Sequence, residues 1–254
     1  MKLSILIPTF ERQDLLRQCV EALKASEMPE GTEVLVLCEG RDDGSAGYAA
    51  AQGCRAFASE QAVSFSAANN RLAKEASPDA DWLLLLNNDC CIQPGFWAAL
   101  EQMAEAYYDM VGAKLLYPDG RIQHYGKWFT LDGYPFHVLR FQPGDHAEAQ
   151  AIRAMPDVTF ACVAIKRLVW DSLGGLDEGY VNGFEDDDFC MRARERGGQI
   201  GVHPGMVAIH KESQTTGLDT ANKEVQWQRF QKAWVESGRI SWPLGVHQGW
   251  RSVT

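Results

Sequence analysis

Trp82-Leu83-Leu84-Leu85-Leu86-Asn87-Asn88-Asp89 is five apolar residues without a polar interruption, followed at once by three polar ones. An apolar run of that length lacks the alternation of a strand with one wet face, so it predicts a strand covered on both sides, as in a sheet flanked by helices. Such a strand delivers the residues that follow it to the carboxyl edge of the sheet, where ligands bind in open α/β folds. Upstream, Ser4 to Ile7 is a β-rich run ended by Pro8, and Leu15, Leu16, Cys19, Val20 and Leu23 recur at helical spacing. Glu33 to Leu37 is a second strand, leading into the turn-rich Asp42-Asp43-Gly44-Ser45, and Ala56-Phe57 is a third, followed by a helix over Phe65 to Ala76. A further helix is predicted from Gly95 to Tyr107. Alternating units of this kind predict an α/β fold with a Rossmann-like, mainly parallel sheet flanked by helices.

Beyond Val111 the texture changes. Tyr117-Pro118-Asp119-Gly120 is a turn signal between two β-like runs, and Arg121 to Leu139 is rich in aromatics and glycine. Pro143 to Glu148 reads as a polar loop, and Val158 to Ile165 as a buried strand. A helix is predicted to start near Asp186 and stop at Gly197-Gly198, and a last one to span Ala221 to Glu236. The chain is read as a single domain over 1–254, with a nucleotide-binding half at 1–116, a smaller mixed acceptor and catalytic half at 117–220, and a C-terminal helix and tail at 221–254. Trp227, Phe230 and Trp234 at helical spacing read as an apolar stripe packed on the core.

A chain of 254 residues, 46% hydrophobic, can bury a full core. Its formal charge of -10 argues against a broad basic surface for nucleic acid. Seven cysteines, with Cys90 and Cys91 adjacent, suggest neither a disulfide framework nor a zinc knuckle, and reduced cytoplasmic thiols are the plain expectation. No apolar stretch approaches the ~18 residues that span a bilayer. The loop after the first strand, Pro8-Thr9-Phe10-Glu11-Arg12, contains no glycine, which sets aside a dinucleotide-binding turn and a P-loop.

Three groups of residues carry chemistry. Asn87-Asn88-Asp89 places hard oxygen ligands at the sheet edge, suited to Mg²⁺ or Mn²⁺ with substrate phosphates, although the same residues are ordinary turn formers. Glu185-Asp186-Asp187-Asp188 sits where a helix begins. One or two acids there are favoured by the helix dipole, but four exceed what capping requires and suit a general base whose pKa is raised by crowding. His210 ends a short apolar run, and a lone histidine of that kind is more often structural than a ligand.

In order and spacing, these groups resemble the family 2 inverting glycosyltransferases with the glycosyltransferase A fold. The resemblance spans nearly the whole chain. It includes Ser4 to Phe10, Asp43-Gly44-Ser45, Asn69-Asn70, Leu86-Asn87-Asn88-Asp89 as a variant Asp-X-Asp motif, Val111 to Gln123, Leu173 to Glu178, Glu185-Asp186 and His210-Lys211-Glu212-Ser213. Val111 to Gln123 looks most like bacterial rhamnosyltransferase-like enzymes of surface polysaccharide synthesis. The chain departs from the pattern at Asn87, where the family often has Asp, at Cys38, beside Glu39, and at Ser64.

The resemblance implies a metal-dependent transfer of a sugar from a dTDP- or UDP-sugar donor to a saccharide or lipid-linked saccharide acceptor, in the cytoplasm or at the inner face of the membrane. Asp89 and His210 are the implied ligands of Mn²⁺ or Mg²⁺. Asp186 is the implied base within the catalytic pair Glu185-Asp186. Pro8, Thr9, Glu11, Arg12, Glu39, Asn70 and Asn88 are the implied contacts to the nucleotide-sugar. A non-catalytic sugar-nucleotide or glycan binding module of the same fold is the alternative, and Ser213 to Gly217 is expected to form a lid over the donor.

Overall fold

The computed structural model describes residues 1–211 and 220–240. The expected lid at Ser213 to Gly217 and the tail tryptophans Trp242 and Trp250 lie outside the described residues. The first half is wound as the sequence predicts. Strand β1 (Leu3–Phe10) leads to helix α1 (Gln13–Ala25), β2 (Glu33–Glu39) to α2 (Ser45–Ala51), β3 (Arg55–Ser59) to α3 (Phe65–Glu75), and β4 (Trp82–Leu86) follows. A short β5 (Cys90–Ile92), α4 (Phe96–Glu105) and β6 (Met110–Leu116) complete this half. The second half has β7 (Ile122–His124), β8 (Lys127–Phe129), β9 (Pro135–His137), β10 (Arg153–Ala154), β11 (Cys162–Lys166), α5 (Arg167–Leu173), α6 (Glu185–Glu195), β12 (Ile200–His210) and α7 (Thr220–Phe230), which runs on through a π turn at Gln231–Val235.

The main sheet runs β10-β12-β6-β11-β4-β1-β2-β3, with β5 added to β12 and β7 to β6, while β8 and β9 form a separate ribbon. The block β4-β1-β2-β3 is wholly parallel. The sheet as a whole is mixed rather than mainly parallel, because β11 enters antiparallel between β4 and β6. A strand returning directly beside its neighbours needs no crossover helix, and the apolar pattern of Cys162 to Ile165 does not encode direction.

The β4 run is buried throughout. Leu83 and Leu85 face one apolar core, and Trp82, Leu84 and Leu86 face the other. That split explains why the sequence shows no alternation: both faces of the pleat are dry. Helix α1 buries Leu15, Leu16, Cys19, Val20 and Leu23, the residues at helical spacing. Asp43 accepts hydrogen bonds from Gln13 N and Ser45 N, each at 2.9 Å, so one carboxylate satisfies the leading N–H of both α1 and α2. The C-terminal stripe packs as expected, with Phe230 and Trp234 fully buried. No helix among the described residues is long and apolar enough to cross a membrane.

Candidate active site

The carboxyl ends of β1, β2 and β4 share one edge of the sheet. There, Asn88 Nδ2 donates to Thr9 Oγ1 at 2.7 Å and ties the end of β4 to the end of β1. Asp89 follows, and the antiparallel pairing of β5 with β12 sets Cys90 opposite His210. This register, which no local motif encodes, brings His210 Nε2 to 3.2 Å from Asp89 Oδ1. On the other side of the ring, His210 Nδ1 lies 2.6 Å from Gln123 Oε1. The amide oxygen can only accept, so Nδ1 carries a proton, and in the neutral ring Nε2 presents its lone pair to Asp89.

A lone pair facing a carboxylate at that distance is favourable when a cation or proton sits between them. For an octahedral ion with bonds of about 2.1 Å, adjacent ligand atoms stand about 3 Å apart, which the pair matches. Cys90 is the third metal-capable residue nearby. Its thiol is turned into the apolar core with Sγ 3.3 Å from Ala161 O, and burial pushes its pKa well up, so it stays a neutral thiol. The donor set is therefore one carboxylate oxygen and one imidazole nitrogen.

The expected nucleoside-pocket residues gather on the same edge. Pro8 and Thr9 lie just before the end of β1, opposite Leu37 and Cys38 of β2, and Glu11 N donates to Glu39 O. Glu11 has a left-handed backbone (φ 45°) and pairs with Arg41. The Arg12 side chain forms a two-pronged contact with Asp14, at 2.9 and 3.0 Å, within electrostatic reach of Asp89. Glu39 is buried, which raises its pKa, and its Oε1 accepts from Val63 N at 2.9 Å. Asn70, another expected donor contact, is engaged within the protein. Its Nδ2 donates to Leu176 O and Glu178 Oε1, and its Oδ1 accepts from Leu176 N, each at 2.9 Å. The whole amide is thereby engaged in bracing the loop before the acidic helix.

That helix, α6, follows a strained turn. Asn182, Gly183 and Phe184 all have positive φ, and the Phe184 ring is held by Tyr134, Trp227 and Phe230. Of the four acids at the helix start, Glu185, Asp187 and Asp188 are buried, and Asp186 is the one that keeps more contact with solvent. Asp188 serves packing: its Oδ1 accepts from Trp234 Nε1 at 2.9 Å and its Oδ2 from Arg192 Nε at 2.7 Å.

Lys127, buried on β8, supplies the cation for this cluster. Its Nζ stands 2.7 Å from Asp186 Oδ2, 2.8 Å from Asp187 Oδ1 and 3.8 Å from Asp157 Oδ1. The expected rise in the pKa of Asp186 is corrected here. Burial pushes Asp186 up, but the Lys127 charge and hydrogen bond outweigh it and hold the carboxylate below its ordinary value. The raised groups are its neighbours. Glu185 is pushed up to about 7 by burial and then by the charge of Asp186. Asp187 is pushed well up by burial and by Asp157 and Asp186, and Asp157 is pushed up by its own burial. Lys127, Asp157 and Gln123 were not read from the sequence as site residues. A buried lysine among aromatics has no local signature, and Gln123 stood at the end of a recognised segment without an assigned task.

Comparisons with known proteins identify the family and the fold. Residues 2–232 match the family described as glycosyltransferase like family 2. The chain is 32% identical over 240 residues to an uncharacterized protein, y4gI, of Sinorhizobium fredii, covering 89% of this chain and 26% of that one. It is 29% identical over 237 residues to the O-antigen biosynthesis protein RfbC of Myxococcus xanthus, covering 89% and 18%. It thus spans about a quarter or less of these relatives. Among solved structures, GalNAc-T7 with UDP, GalNAc and Mn²⁺ superposes with a TM-score of 0.72 at 14% identity, over 93% of this chain and 49% of that one. A mannosyltransferase from Pyrobaculum calidifontis in complex with GDP-Man and Mn²⁺ gives 0.62 at 14%, over 85% and 58%. Such identities speak to fold, and the fold they share is the glycosyltransferase A fold. With residues 2–232 of 254 matched, the chain belongs to the glycosyltransferase family 2 group.

Proposed function

We propose that the chain is an inverting, metal-dependent glycosyltransferase that moves a sugar from a nucleoside-diphosphate donor to a saccharide or lipid-linked saccharide in bacterial surface polysaccharide synthesis. The observation that carries this reading is the Asp89–His210 pair at 3.2 Å, in a chain that also holds one ionised, partly exposed carboxylate at Asp186. Its imidazole nitrogen suits Mn²⁺ better than Mg²⁺, which favours oxygen ligands throughout. The Mn²⁺ bound by two solved proteins of similar fold, and the sugar nucleotide or UDP beside it, support the same assignment. The O-antigen role in the name of the Myxococcus relative supports the polysaccharide setting.

An ion held there would neutralise the donor's two phosphates and stabilise the departing diphosphate. The protein's own residues do the rest. Gln123 fixes the His210 tautomer, and Asn88 and Thr9 hold the loop bearing Asp89 against β1. Asp186 Oδ1 accepts from Asp187 N at 2.9 Å and Oδ2 from Lys127, so the carboxylate is fixed in place, and its remaining lone pairs can accept the acceptor's hydroxyl proton. Attack opposite the leaving group then inverts the anomeric carbon. Donor turnover with Mn²⁺ tests the reading, since a protein that binds the donor and never cleaves it, with or without acceptor, is the binding module instead.

A further inference from the structure

His137 is a residue of this region to which neither the sequence nor the family match gave a task. It stands on β9 directly opposite Lys127 of β8, and cross-strand partners share a face of a ribbon. The ring is therefore on the face from which Lys127 reaches Asp186. Lys127, Arg140, Asp186 and His210 all lie within electrostatic reach of the ring, so it is near both the acidic helix start and His210.

The protonation of this ring follows from its neighbour. His124 is fully buried on β7, and its Nε2 accepts from two backbone N–H groups, Gly126 N at 3.1 Å and Thr159 N at 3.4 Å. Neither partner can accept, so His124 Nε2 is bare and its proton is on Nδ1. His124 Nδ1 lies 3.1 Å from His137 Nδ1. The proton on the first ring makes the second nitrogen an acceptor, which leaves the proton of a neutral His137 on Nε2. Both rings are neutral: burial lowers the pKa of each, His137 to about 3, with Lys127 and Arg140 adding to the effect. His137 Nε2 has no hydrogen-bond partner among the described residues, and the side chain is only partly buried.

We propose that His137 is a substrate-binding residue whose Nε2–H, fixed in direction and protonation by His124, donates a hydrogen bond to an oxygen of the transferred sugar. The inference rests on the transferase reading above. A sugar whose diphosphate is held at Asp89 and His210 and whose anomeric carbon faces Asp186 would lie near His137, which shares a ribbon face with the Lys127 that holds Asp186. An imidazole locked in this tautomer cannot take a proton, because its one lone pair is already used. It acts as a constant donor across the working pH range, and discrimination against a sugar lacking the matching oxygen follows from the unpaired N–H left behind.

The test compares wild type, His137→Phe and His137→Gln by calorimetry with Mn²⁺. The probes are whichever of UDP, dTDP and GDP binds and the hexose conjugate of it that binds most tightly. His137→Phe is expected to leave the affinity for the bare diphosphate within about twofold and to weaken the conjugate by about tenfold, with His137→Gln, which restores a donor near Nε2, recovering most of the loss. Equal affinities in all three proteins, or a parallel loss for diphosphate and conjugate, would overturn the assignment. Imidazole ¹⁵N spectra of the ligand-free protein are expected to show a protonated Nε2 and a bare Nδ1 at His137, and the reverse would overturn it as well. A wild-type protein that binds none of the diphosphates contradicts the transferase reading itself, whereas the spectra test the fixed donor without any ligand.

Discussion

Lys127 Nζ lies 2.7 Å from Asp186 Oδ2, and this one contact sets the charge state of the proposed catalytic base. Four acids at a helix start would otherwise repel one another into partial protonation. With the ammonium beside it, Asp186 stays ionised while Glu185 and Asp187 absorb the crowding as raised pKa values. Asp186 is thus a base at neutral pH without needing an elevated pKa.

Replacing Lys127 by Met removes the cation from a buried cluster. Stranding buried charge in this way costs about 3–5 kcal/mol, so the melting temperature should fall clearly. Part of the loss should be recovered at lower pH, where the orphaned carboxylates take up protons. A Lys127→Met protein as stable as wild type across the pH range would show that the cluster is not held by this charge.

Asp186→Asn keeps the shape and removes the basicity. Turnover should fall by at least ~100-fold with donor affinity nearly unchanged. Asp187→Asn, at a buried carboxyl whose pKa burial already raises, should cost far less. Asp188→Asn should show its effect in stability, by about 1–3 kcal/mol, because it disturbs the contacts to Trp234 and Arg192. Full turnover in Asp186→Asn, beside a dead Glu185→Gln, would move the base to the neighbouring acid.

Glu185 also gives a pH signature. Its folded pKa of about 7 stands above the ordinary 4.5, so the folded state holds a proton that the unfolded chain has released. Its contribution to stability is fully present below about pH 4.5 and is lost as the pH rises towards 7. Glu185→Gln should flatten the decline of the melting temperature over that window. An identical slope in the variant and wild type would contradict the raised value.

Gln123→Leu should leave the fold intact and raise the Mn²⁺ concentration for half-maximal activity by about 10–100-fold, since a group that orients a metal-binding histidine typically has effects of that size. Unchanged metal dependence would mean that His210 does not need Gln123 to present Nε2.

The sequence exposed what is local. The β4 run, the helical face of α1 and the polar edge at Asn87 to Asp89 each rest on neighbours in the chain, and all were legible. The direction of β11 was not, because its apolar residues pack equally well in a parallel or an antiparallel strand. The partners of Asn70 were not legible either, because its amide is used by a loop more than a hundred residues away. The pKa of Asp186 was misjudged for a related reason. The four acids are adjacent and visible, but the lysine that outweighs them arrives through tertiary packing. His124 and His137 escaped notice because only the β7-to-β9 region in three dimensions joins them.

The most direct test of the central claim is calorimetric titration of wild type and Asp89→Ala with UDP, dTDP and GDP, each with and without Mn²⁺. In an acidic protein without a P-loop, the expected result is that one of these diphosphates binds wild type only with Mn²⁺, and that Asp89→Ala loses the metal-dependent part of the affinity while remaining folded. Binding that is equally tight without metal, or unchanged in Asp89→Ala, would contradict the assignment of Asp89 and His210 as the site that holds the donor.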